Sequence, residues 1–397
     1  MKIGLIREGK FPPDNRVALA PSQCRWMTRH RPDIQIFVEP SPSRCFTDAE
    51  YQKAGATLTE DLTHCDVLMG IKEVPIDQLI ANKTYCFFSH TKKKQPHNRE
   101  MLRAILEKNI TLIDYECLEH EDGQRIIGFG FFAGVVGAHN GMMAYGKRTG
   151  AFSLDKVHEH KSFRTLIHTY FGLRLPPLKI AVTGSGRVAS GILEIMNLMG
   201  VIEVEPDEYL EKEFRYPVYV HLKGGDLYRH KVTDTYNRNN FHEHPEEYRC
   251  IFPIYIKHTD LLMNGIYWDN NVPRLFEWEH LSQYSFRIQT IADITDDFNG
   301  SVPCNIGDAT ISDPVYGVSR TTREKTEPYR GGSVDVMAVS NLPNELPRDA
   351  SRYFGEQLLK FVIDDLQSDS DTIHRATIVQ QGTLTPGFHY LEEYVRG

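Results

Sequence analysis

The chain has 397 residues, of which 41% are hydrophobic and 25% are charged, and its formal net charge is −8. That length predicts two to three domains with sizeable cores. Because the charge is spread without long runs, the composition argues against nucleic acid or a membrane surface as a partner. The seven cysteines are scattered without metal-ligand spacing, which predicts free thiols in a reducing cytoplasm. The opening residues predict a strand and no signal peptide.

The first part of the chain alternates short apolar strands with helices. Strands are predicted at residues 2–6, 34–38, 67–71, 85–88 and 111–114, and helices at 21–29, 47–54 and 98–108. This alternation is typical of a parallel α/β sheet. A long helix is predicted at about 133–146. Residues 129–146 are apolar but include His139, Asn140 and several glycines, which favours a buried helix with a core histidine over a membrane span.

A glycine-rich turn follows the predicted strand at 178–183. Gly184 permits a tight turn, and Gly186 lets the backbone approach a phosphate. The next helix offers free N–H groups and the positive end of its dipole to an anion. The sequence therefore predicts a dinucleotide site that includes Gly184, Ser185, Gly186, Arg187 and Val188. Ala189 and Gly191 are expected to keep the helix close to the sheet. The alternative is an ordinary strand–turn–helix with small residues for packing.

The alternating pattern weakens between residues 205 and 256, where Tyr, His, Asn and Glu are frequent. This predicts a long insertion with a few secondary-structure elements; the alternative is a solvated surface lobe. Its histidines lack the regular spacing of zinc ligands, so no metal site is predicted. Strands resume at 261–266 and 287–291. The second strand leads into the acidic residues Asp293 to Asp297, which either bind a ribose or nicotinamide or form a turn that caps a helix.

Apolar residues at helical spacing predict a helix at 348–366 that returns to the first domain. The predicted domains are residues 1–133 with 346–397, which would bind the substrate, and residues 134–345, which would bind a dinucleotide. The insertion at about 205–256 lies in the second. The fold class is α/β, with two parallel-sheet Rossmann-like domains, and the cleft between them is the expected site.

Charged residues follow several strands of the first domain, where the carboxyl ends of parallel strands meet. Arginine binds carboxylates in a bidentate manner, a lysine surrounded by cations can act as a base, and histidine exchanges protons near neutral pH. Taken singly, each of these residues also fits a solvated surface charge. The set predicts a site for a substrate with several carboxylates and comprises Arg16, Lys72, His90, Lys93, Glu116 and Arg125.

Several longer segments resemble the lysine–ketoglutarate reductase half of the bifunctional aminoadipic semialdehyde synthase. These segments are residues 74–91, 244–248, 264–268, 273–275, 293–301 and 341–347. The resemblance extends over essentially the whole chain, but the glutamate-forming half of the bifunctional enzyme is absent. Wider relatives are the fungal L-lysine-forming saccharopine dehydrogenases and, more distantly, alanine dehydrogenase and the transhydrogenase nucleotide domains.

The resemblance implies the reversible reaction of L-lysine, 2-oxoglutarate and NAD(P)H to saccharopine. It implies that Lys72 and His90 are the acid–base pair and that Glu116 tunes the lysine. Asp297 would lie near the nicotinamide. The residues implied to hold substrate carboxylates are Arg16, Lys93 and Arg125, and those expected to contact the cofactor beyond the glycine-rich turn are Glu205, Tyr267, Asp293 and Asp297.

The cofactor is expected to be NAD or NADP, and the sequence leaves the choice open. Glu205 follows the next predicted strand, where an acid would bind a ribose 2′-hydroxyl, and no arginine there marks a 2′-phosphate. The expected partners are small amino and oxo acids, and an oligomer is compatible with the sequence. Two alternatives stay open: reductive amination of a smaller 2-oxo acid, as in alanine dehydrogenase, and a nucleotide-binding sensor without turnover.

Overall fold

The computed structural model describes residues 1–283 and 285–397, which fall into two compact units. Unit 1 comprises Met1–Phe129 and Pro347–Gly397, and unit 2 comprises Gly130–Leu346. The described strands, in chain order, are β1 Lys2–Leu5, β2 Gln35–Val38, β3 Thr57–Leu58, β4 Val67–Met69, β5 Thr84–Phe87, β6 Thr111–Asp114, β7 Lys179–Thr183, β8 Ile202–Glu203, β9 Val218–Leu222, β10 Tyr228–His230, β11 Tyr248–Cys250, β12 Leu261–Asn264, β13 Thr290–Asp293, β14 Val315–Ser319, β15 Lys325–Thr326, β16 Ser333–Met337, β17 Thr377–Gln380 and β18 Thr383–Leu384. The α-helices are α1 Pro21–His30, α2 Asp48–Lys53, α3 Arg99–Glu107, α4 Gly130–Thr149, α5 Phe163–His168, α6 Arg187–Leu198, α7 Pro206–Glu211, α8 Arg238–Glu243, α9 Trp278–Leu281, α10 Pro347–Phe361, α11 Asp371–Ala376 and α12 Glu392–Arg396.

The sheet of unit 1 has eight strands in the order β3-β2-β1-β4-β5-β6-β17-β18. The six strands from β3 to β6 are parallel, and β17 and β18 extend the sheet in antiparallel fashion. The central strands are short and apolar, as in sheets that are covered on both faces. The strand order reverses direction between β1 and β4, so the carboxyl ends of β1, β4, β5 and β6 meet at a switch point, where α/β sheets bind ligands.

The sheet of unit 2 also has eight strands, in the order β8-β9-β7-β12-β13-β16-β14-β15. The six strands from β8 to β16 are parallel, and β14 and β15 are antiparallel to their neighbours. Strand β7 lies between β9 and β12, so the turn after β7 lies at the switch point of this sheet. A separate pair of antiparallel strands, β10 and β11, belongs to the same unit.

The predicted fold class, two mostly parallel α/β sheets, is confirmed. Most predicted strands of the first unit agree with the observed ones within one or two residues. The strand predicted at 287–291 begins later, at Thr290, and ends at Asp293. The antiparallel strands at the edge of each sheet were not predicted.

The stretch 205–256, predicted as a long insertion with a few elements, contains several elements and contributes a strand to the sheet of unit 2. Strand β9 lies within this stretch and pairs with β7 along its whole length, from Lys179 opposite Val218 to Thr183 opposite Leu222. Strand β8 pairs only with β9 and lies at the edge of the sheet. The strand next to β7 is therefore β9. Strand β8, which precedes Glu205, is separated from β7 by β9.

Helices α4 and α6 are in backbone contact through two glycines. A Cβ atom on Gly134 of α4 would lie 2.0 Å from the Val188 carbonyl oxygen, and one on Gly191 of α6 would lie 2.0 Å from the Phe131 carbonyl oxygen. Gly191 was expected to bring α6 close to the sheet, but its bare face instead meets α4.

Among the described residues, no helix combines the length and the apolar character that crossing a membrane requires.

The C-terminal segment completes unit 1, as predicted. Helix α10 begins at Pro347 and packs beside α1. The Val17 N–H donates to the Ser351 hydroxyl at 2.9 Å, and the Gln23 amide donates to the Arg352 carbonyl at 2.9 Å. These bonds tie α10 to the segment that follows β1 and carries Arg16.

Candidate active site

The turn after β4, which carries Lys72, is held by a carboxylate from the loop after β1. Glu8 accepts the N–H groups of Ile71 at 2.6 Å and Lys72 at 2.9 Å. Burial and the nearby Asp14 raise the pKa of Glu8 to about 8. The backbone at Lys72 is therefore fixed at the switch point of unit 1, although the sequence analysis did not include Glu8.

Lys72 is half-buried, and its surroundings favour the neutral amine. Burial and the Arg16 guanidinium lower the pKa of Lys72 from its usual value, while Asp14 and Glu73 act in the opposite direction. A lysine with a lowered pKa can accept a proton at a pH at which ordinary lysines cannot. The role of Lys72 as a base stays a prediction, and its lowered pKa is one condition for that role.

Arg16 is buried, with 4% of its surface exposed, and is paired within unit 1. Its Nε donates to Asp14 Oδ1 at 3.0 Å and its Nη2 to Asp14 Oδ2 at 2.6 Å. Its guanidinium carbon also lies 4.2 Å from the centre of the Phe129 ring. Two of the three guanidinium nitrogens therefore donate to Asp14, which orients the guanidinium. Fewer N–H groups remain for a substrate than the sequence predicts.

His90 forms a pair with a carboxylate that the sequence analysis did not single out. Its Nδ1 lies 2.7 Å from Glu73 Oε1, and Lys10 Nζ lies 2.7 Å from Glu73 Oε2. Burial opposes ionisation of Glu73, but hydrogen bonds from His90 and Lys10 outweigh it and hold the pKa of Glu73 below its usual range. An ionised carboxylate on Nδ1 fixes the imidazole ring and directs Nε2 toward other partners. The position of Glu73, directly after Lys72 at a strand end, was the available signal.

A buried aspartate joins the loops that follow β5 and β6. Asp114 accepts the Ser89 N–H at 3.1 Å, the Glu116 N–H at 2.7 Å and the Ser89 hydroxyl. Burial raises the pKa of Asp114 to about 6, although the bonds from Ser89 and Glu116 act against this. The loop that carries His90 is thereby fixed to the loop that carries Glu116.

Glu116 is paired with Arg125 rather than with Lys72. Arg125 Nη2 donates to Glu116 Oε1. The second oxygen of Glu116, Oε2, is buried and has no hydrogen-bond partner within the described residues. Lys93 is exposed on the loop after β5. In unit 1 the structure therefore links His90 to the Lys72 turn through Glu73 and links Glu116 to Arg125, while Lys93 lies at the surface.

The glycine-rich turn of unit 2 has the geometry of a phosphate-binding turn. Gly184 has φ +107°, and a Cβ there would lie 2.4 Å from the Gly265 carbonyl oxygen. A Cβ on Gly186 would meet nothing within 4 Å, so the surface above it is open. Gly186 is the N-cap of α6, a helix of 12 residues, whose first N–H groups belong to Arg187 and Val188. The predicted residues thus fit the pyrophosphate of a dinucleotide.

Asp293 lies inside unit 2, which differs from the expected contact with a cofactor. It is 0% exposed and accepts hydrogen bonds from Asn264 Nδ2, Asn305 Nδ2 and Thr295 Oγ1, each at 2.8 Å. Burial raises the pKa of Asp293, and these three donors act against the shift. Asp293 therefore positions the loops after β12 and β13.

The exposed part of this loop region carries the other predicted contacts. Asp297 is half-buried, and Tyr267 is 73% exposed. The neighbouring Asp296, which the sequence analysis did not select, has its pKa raised to about 7 by burial and by Asp308. Three acidic side chains, those of Asp293, Asp296 and Asp297, thus lie at or directly after the carboxyl end of β13, and their contact with a cofactor stays a prediction.

Glu205 does not lie at the expected position. It follows β8 and precedes α7, and β9 separates β8 from the glycine-rich strand β7. The residue that follows the strand next to β7 is Lys223.

His139 is a core histidine, as predicted. Its Nδ1 lies 2.8 Å from the Tyr170 hydroxyl and its Nε2 lies 2.8 Å from the Asp155 carbonyl oxygen, and burial lowers its pKa to about 4.

Comparisons with known proteins identify the fold. Residues 4–136 match the family described as alanine dehydrogenase/PNT, N-terminal domain. The chain is similar over its whole length to solved structures of L-alanine dehydrogenase, with a TM-score of 0.67, 16% identity and 100% of both chains covered. A transhydrogenase from Sinorhizobium meliloti gives a TM-score of 0.59 and 15% identity, with 98% of this chain and 100% of that chain covered. The fold is thus that of the alanine dehydrogenase and transhydrogenase proteins.

Relatives that are similar in sequence give a more specific resemblance than the fold does. The chain is 29% identical to the mitochondrial alpha-aminoadipic semialdehyde synthase of Rattus norvegicus, over 98% of this chain and 47% of that protein. It is 26% identical to saccharopine dehydrogenase [NAD(+), L-lysine-forming] of Yarrowia lipolytica, over 93% of this chain and 94% of that protein. The chain spans about half the length of the synthase. The predicted resemblance to aminoadipic semialdehyde synthase and to the L-lysine-forming saccharopine dehydrogenases is confirmed.

Proposed function

We propose that the chain is an NAD(P)-dependent oxidoreductase of the L-lysine-forming saccharopine dehydrogenase type. It would join the side-chain amine of lysine to the keto carbon of 2-oxoglutarate and reduce the product to saccharopine, or run this reaction in reverse. The observation that carries the proposal is the group at the switch point of unit 1: Lys72, with its lowered pKa, lies next to Glu73, which binds His90. A glycine-rich turn at the switch point of unit 2 accompanies it.

The proton transfers of this reaction fit the two residues. When the amine attacks the keto carbon, the nitrogen loses a proton, and Lys72 as a neutral amine can accept it. The former keto oxygen needs two protons to leave as water. The protonated Lys72 can return the one it accepted, and His90, oriented by Glu73, can supply the other. The imine that forms has a carbon–nitrogen double bond ready for reduction. The glycine-rich turn of unit 2 would hold a nicotinamide dinucleotide, and this group would supply the hydride for that carbon, while the nitrogen keeps one proton.

Carboxylate recognition fits the cations of unit 1. Arg16 is oriented by Asp14, and Arg125 by Glu116. Together with the exposed Lys93 they provide positive groups for a substrate with more than one carboxylate. Pyruvate and ammonia, the substrates of an alanine dehydrogenase type of reaction, carry only one carboxylate between them. The fold is nevertheless shared with L-alanine dehydrogenase, so this reaction is the second candidate.

A direct assay tests both candidates. The full chain is incubated with lysine, 2-oxoglutarate and either NADH or NADPH, and the consumption of the reduced nicotinamide is followed by absorbance. Matched reactions omit lysine, omit 2-oxoglutarate, or replace the pair with pyruvate and ammonia. Consumption that requires both lysine and 2-oxoglutarate supports the proposal. No consumption with either cofactor by folded protein rejects it, and turnover with pyruvate and ammonia alone selects the second candidate.

A further inference from the structure

The loop that carries His90 and Lys93 has a backbone conformation that its own residues do not favour. This β5 loop, residues 89–95, follows strand β5. His90 has φ +52° and Lys94 has φ +55°, in the left-handed region that residues with a Cβ atom adopt uncommonly. Such a backbone persists only where the surrounding structure holds it in place. The positions of the His90 and Lys93 side chains therefore depend on contacts from other segments of unit 1.

The first half of the β5 loop is held from inside unit 1. Ser89 and Thr91 are both 0% exposed, and their hydroxyl oxygens lie 2.8 Å apart. The Ser89 N–H donates to Asp114 Oδ2 at 3.1 Å. These contacts attach the beginning of the loop to strands β5 and β6. They do not involve the second half of the loop, residues 92–95.

The C-terminal segment, residues 386–397, holds the second half. The Tyr390 hydroxyl donates to the Lys92 carbonyl at 3.1 Å, and the Tyr394 hydroxyl donates to the Gln95 carbonyl. The Lys94 ammonium lies 5.4 Å from the centre of the Tyr390 ring. Tyrosine hydroxyls thus bind the two carbonyl groups that flank Lys93 and Lys94.

The C-terminal segment is itself packed against unit 1. Phe388, Leu391 and Tyr394 are buried, with at most 7% of their surface exposed. Arg103 of α3 donates from Nε to the Val395 carbonyl. The two hydroxyl groups therefore reach the β5 loop from a fixed support.

Lys92 extends this support toward a second predicted carboxylate-binding residue. Lys92 Nζ lies 2.7 Å from Glu119 Oε1, and Glu119 pairs with Arg125 in an antiparallel β-bridge. The Lys92 carbonyl is the group that Tyr390 binds. A shift of the backbone at Lys92 would therefore move Lys93, its neighbour in the chain, and would also disturb the turn that carries Arg125.

We propose that Tyr390 and Tyr394 are positioning residues, which fix the β5 loop and thereby set the affinity for the substrate carboxylates. The proposal rests on the proposed function, in which Lys93 and Arg125 bind those carboxylates. Neither tyrosine needs to touch the substrate. Loss of one hydroxyl lets the loop leave its left-handed conformations part of the time. The apparent affinity for the substrate then falls with the fraction of chains in the binding conformation.

Hydrogen exchange on the full chain tests this positioning without any turnover. Tyr390→Phe and Tyr394→Phe each keep the aromatic ring and remove only the hydroxyl. Both variants should exchange the amide hydrogens of residues 91–98 faster than the wild type, with no change in the strands of unit 1. Tyr216→Phe is the matched control, because Tyr216 lies in unit 2 and is 46% exposed, against 45% for Tyr390. It should leave exchange in residues 91–98 unchanged. Unchanged exchange there in both loop variants would overturn the proposal.

Steady-state kinetics with lysine, 2-oxoglutarate and reduced nicotinamide measure the consequence for binding. Tyr390→Phe should raise the KM for 2-oxoglutarate by about 3- to 10-fold, the loss typical of one hydrogen bond. The kcat should change less, because the contact between His90 and Glu73 is untouched. A lower urea midpoint with an unchanged KM would show a merely structural role and overturn the proposal. Absence of turnover by the wild type would reject the proposed function together with the effect on affinity, whereas hydrogen exchange separately decides whether the tyrosines hold the loop.

Discussion

Two neighbours of Lys72 differ in role. Glu8 fixes its backbone, whereas Arg16 adds to the effect of burial in lowering the pKa of its side chain. A lysine in this state can accept a proton at neutral pH more readily than an exposed one. His90 is tied to the same turn through Glu73. These contacts join residues that are separated along the chain but follow neighbouring strands β4 and β5.

Replacing Lys72 with methionine removes the proton acceptor while keeping a side chain of similar length. Lys72→Met should lower the rate of the proposed reaction by about 10²–10⁴-fold, the range typical of general acid–base groups. It should leave the affinity for ADP-ribose unchanged, because the proposed dinucleotide site lies in unit 2. His90→Gln should lose less, since water can take over one proton step. Steady-state kinetics across pH and calorimetry measure the two effects.

Lys53→Met is the matched control, because Lys53 is exposed at the end of α2. This variant should retain the wild-type rate. Near-normal turnover by Lys72→Met across the pH range would show that another group accepts the proton. A parallel loss of ADP-ribose affinity would show that the substitution acts through the fold.

Two glycines near the start of helix α6 differ in what surrounds them. At Gly186, before the helix begins, a Cβ would meet nothing within 4 Å, whereas at Gly191 it would lie 2.0 Å from the Phe131 carbonyl oxygen and 2.8 Å from the Val135 nitrogen. One glycine therefore leaves room for a ligand, and the other lets α6 touch α4. Both occur in one short glycine-rich segment, so the sequence does not separate their roles.

Alanine substitutions at these two glycines should have opposite consequences. Gly191→Ala forces α4 and α6 apart and should lower the free energy of unfolding by about 1–3 kcal/mol, the usual cost of overpacking. Gly186→Ala should leave the free energy of unfolding within about 0.5 kcal/mol of wild type but weaken ADP-ribose binding, because its methyl group would occupy the place of the pyrophosphate. Urea unfolding and calorimetry on both variants provide the comparison. Undiminished ADP-ribose binding by Gly186→Ala would mean that the pyrophosphate does not lie on this turn.

At the scale of the whole molecule, both units bury carboxyl groups that favour the protonated form. In unit 2, Glu345 is 2% exposed, its Oε1 accepts the Asn140 amide at 2.9 Å, and burial raises its pKa to about 8 from an ordinary value of 4.5. Between these two values the folded protein holds a proton that the unfolded chain has lost. The contribution of Glu345 to stability is therefore fully present below pH 4.5 and is lost as the pH rises through about 8.

Glu345→Gln should remove this pH dependence, because the amide keeps the oxygen that Asn140 binds and cannot ionise. Relative to wild type, the variant should become more stable as the pH rises from 5 to 8, by up to about 1.4 kcal/mol per pH unit. Urea unfolding at pH 5, 6.5 and 8 measures the difference. Glu159→Gln, at an exposed glutamate of the same unit, is the matched control for the loss of one carboxylate. A stability difference that stays constant with pH for Glu345→Gln would contradict the assigned protonation.

Local patterns in the sequence determined the alternation of strands and helices, the glycine-rich turn and the charged residues at the strand ends. Each of these depends on neighbours a few residues apart: the period of apolar side chains, the backbone freedom of glycine and the composition of a turn. For this reason β1, β4, β5 and β6 were predicted nearly in place, and Lys72 and His90 were found at the ends of β4 and β5.

The tertiary structure alone decided which strands are neighbours and which side chains pair. Strand β9 lies beside β7 although 34 residues, 184–217, separate them along the chain, so Lys223 and not Glu205 follows the strand next to β7. Arg16 binds Asp14, His90 binds Glu73, and Asp293 lies inside unit 2. Strand order and side-chain pairing depend on contacts between distant segments and on burial in the folded chain, and short-range periodicity carries no information about either.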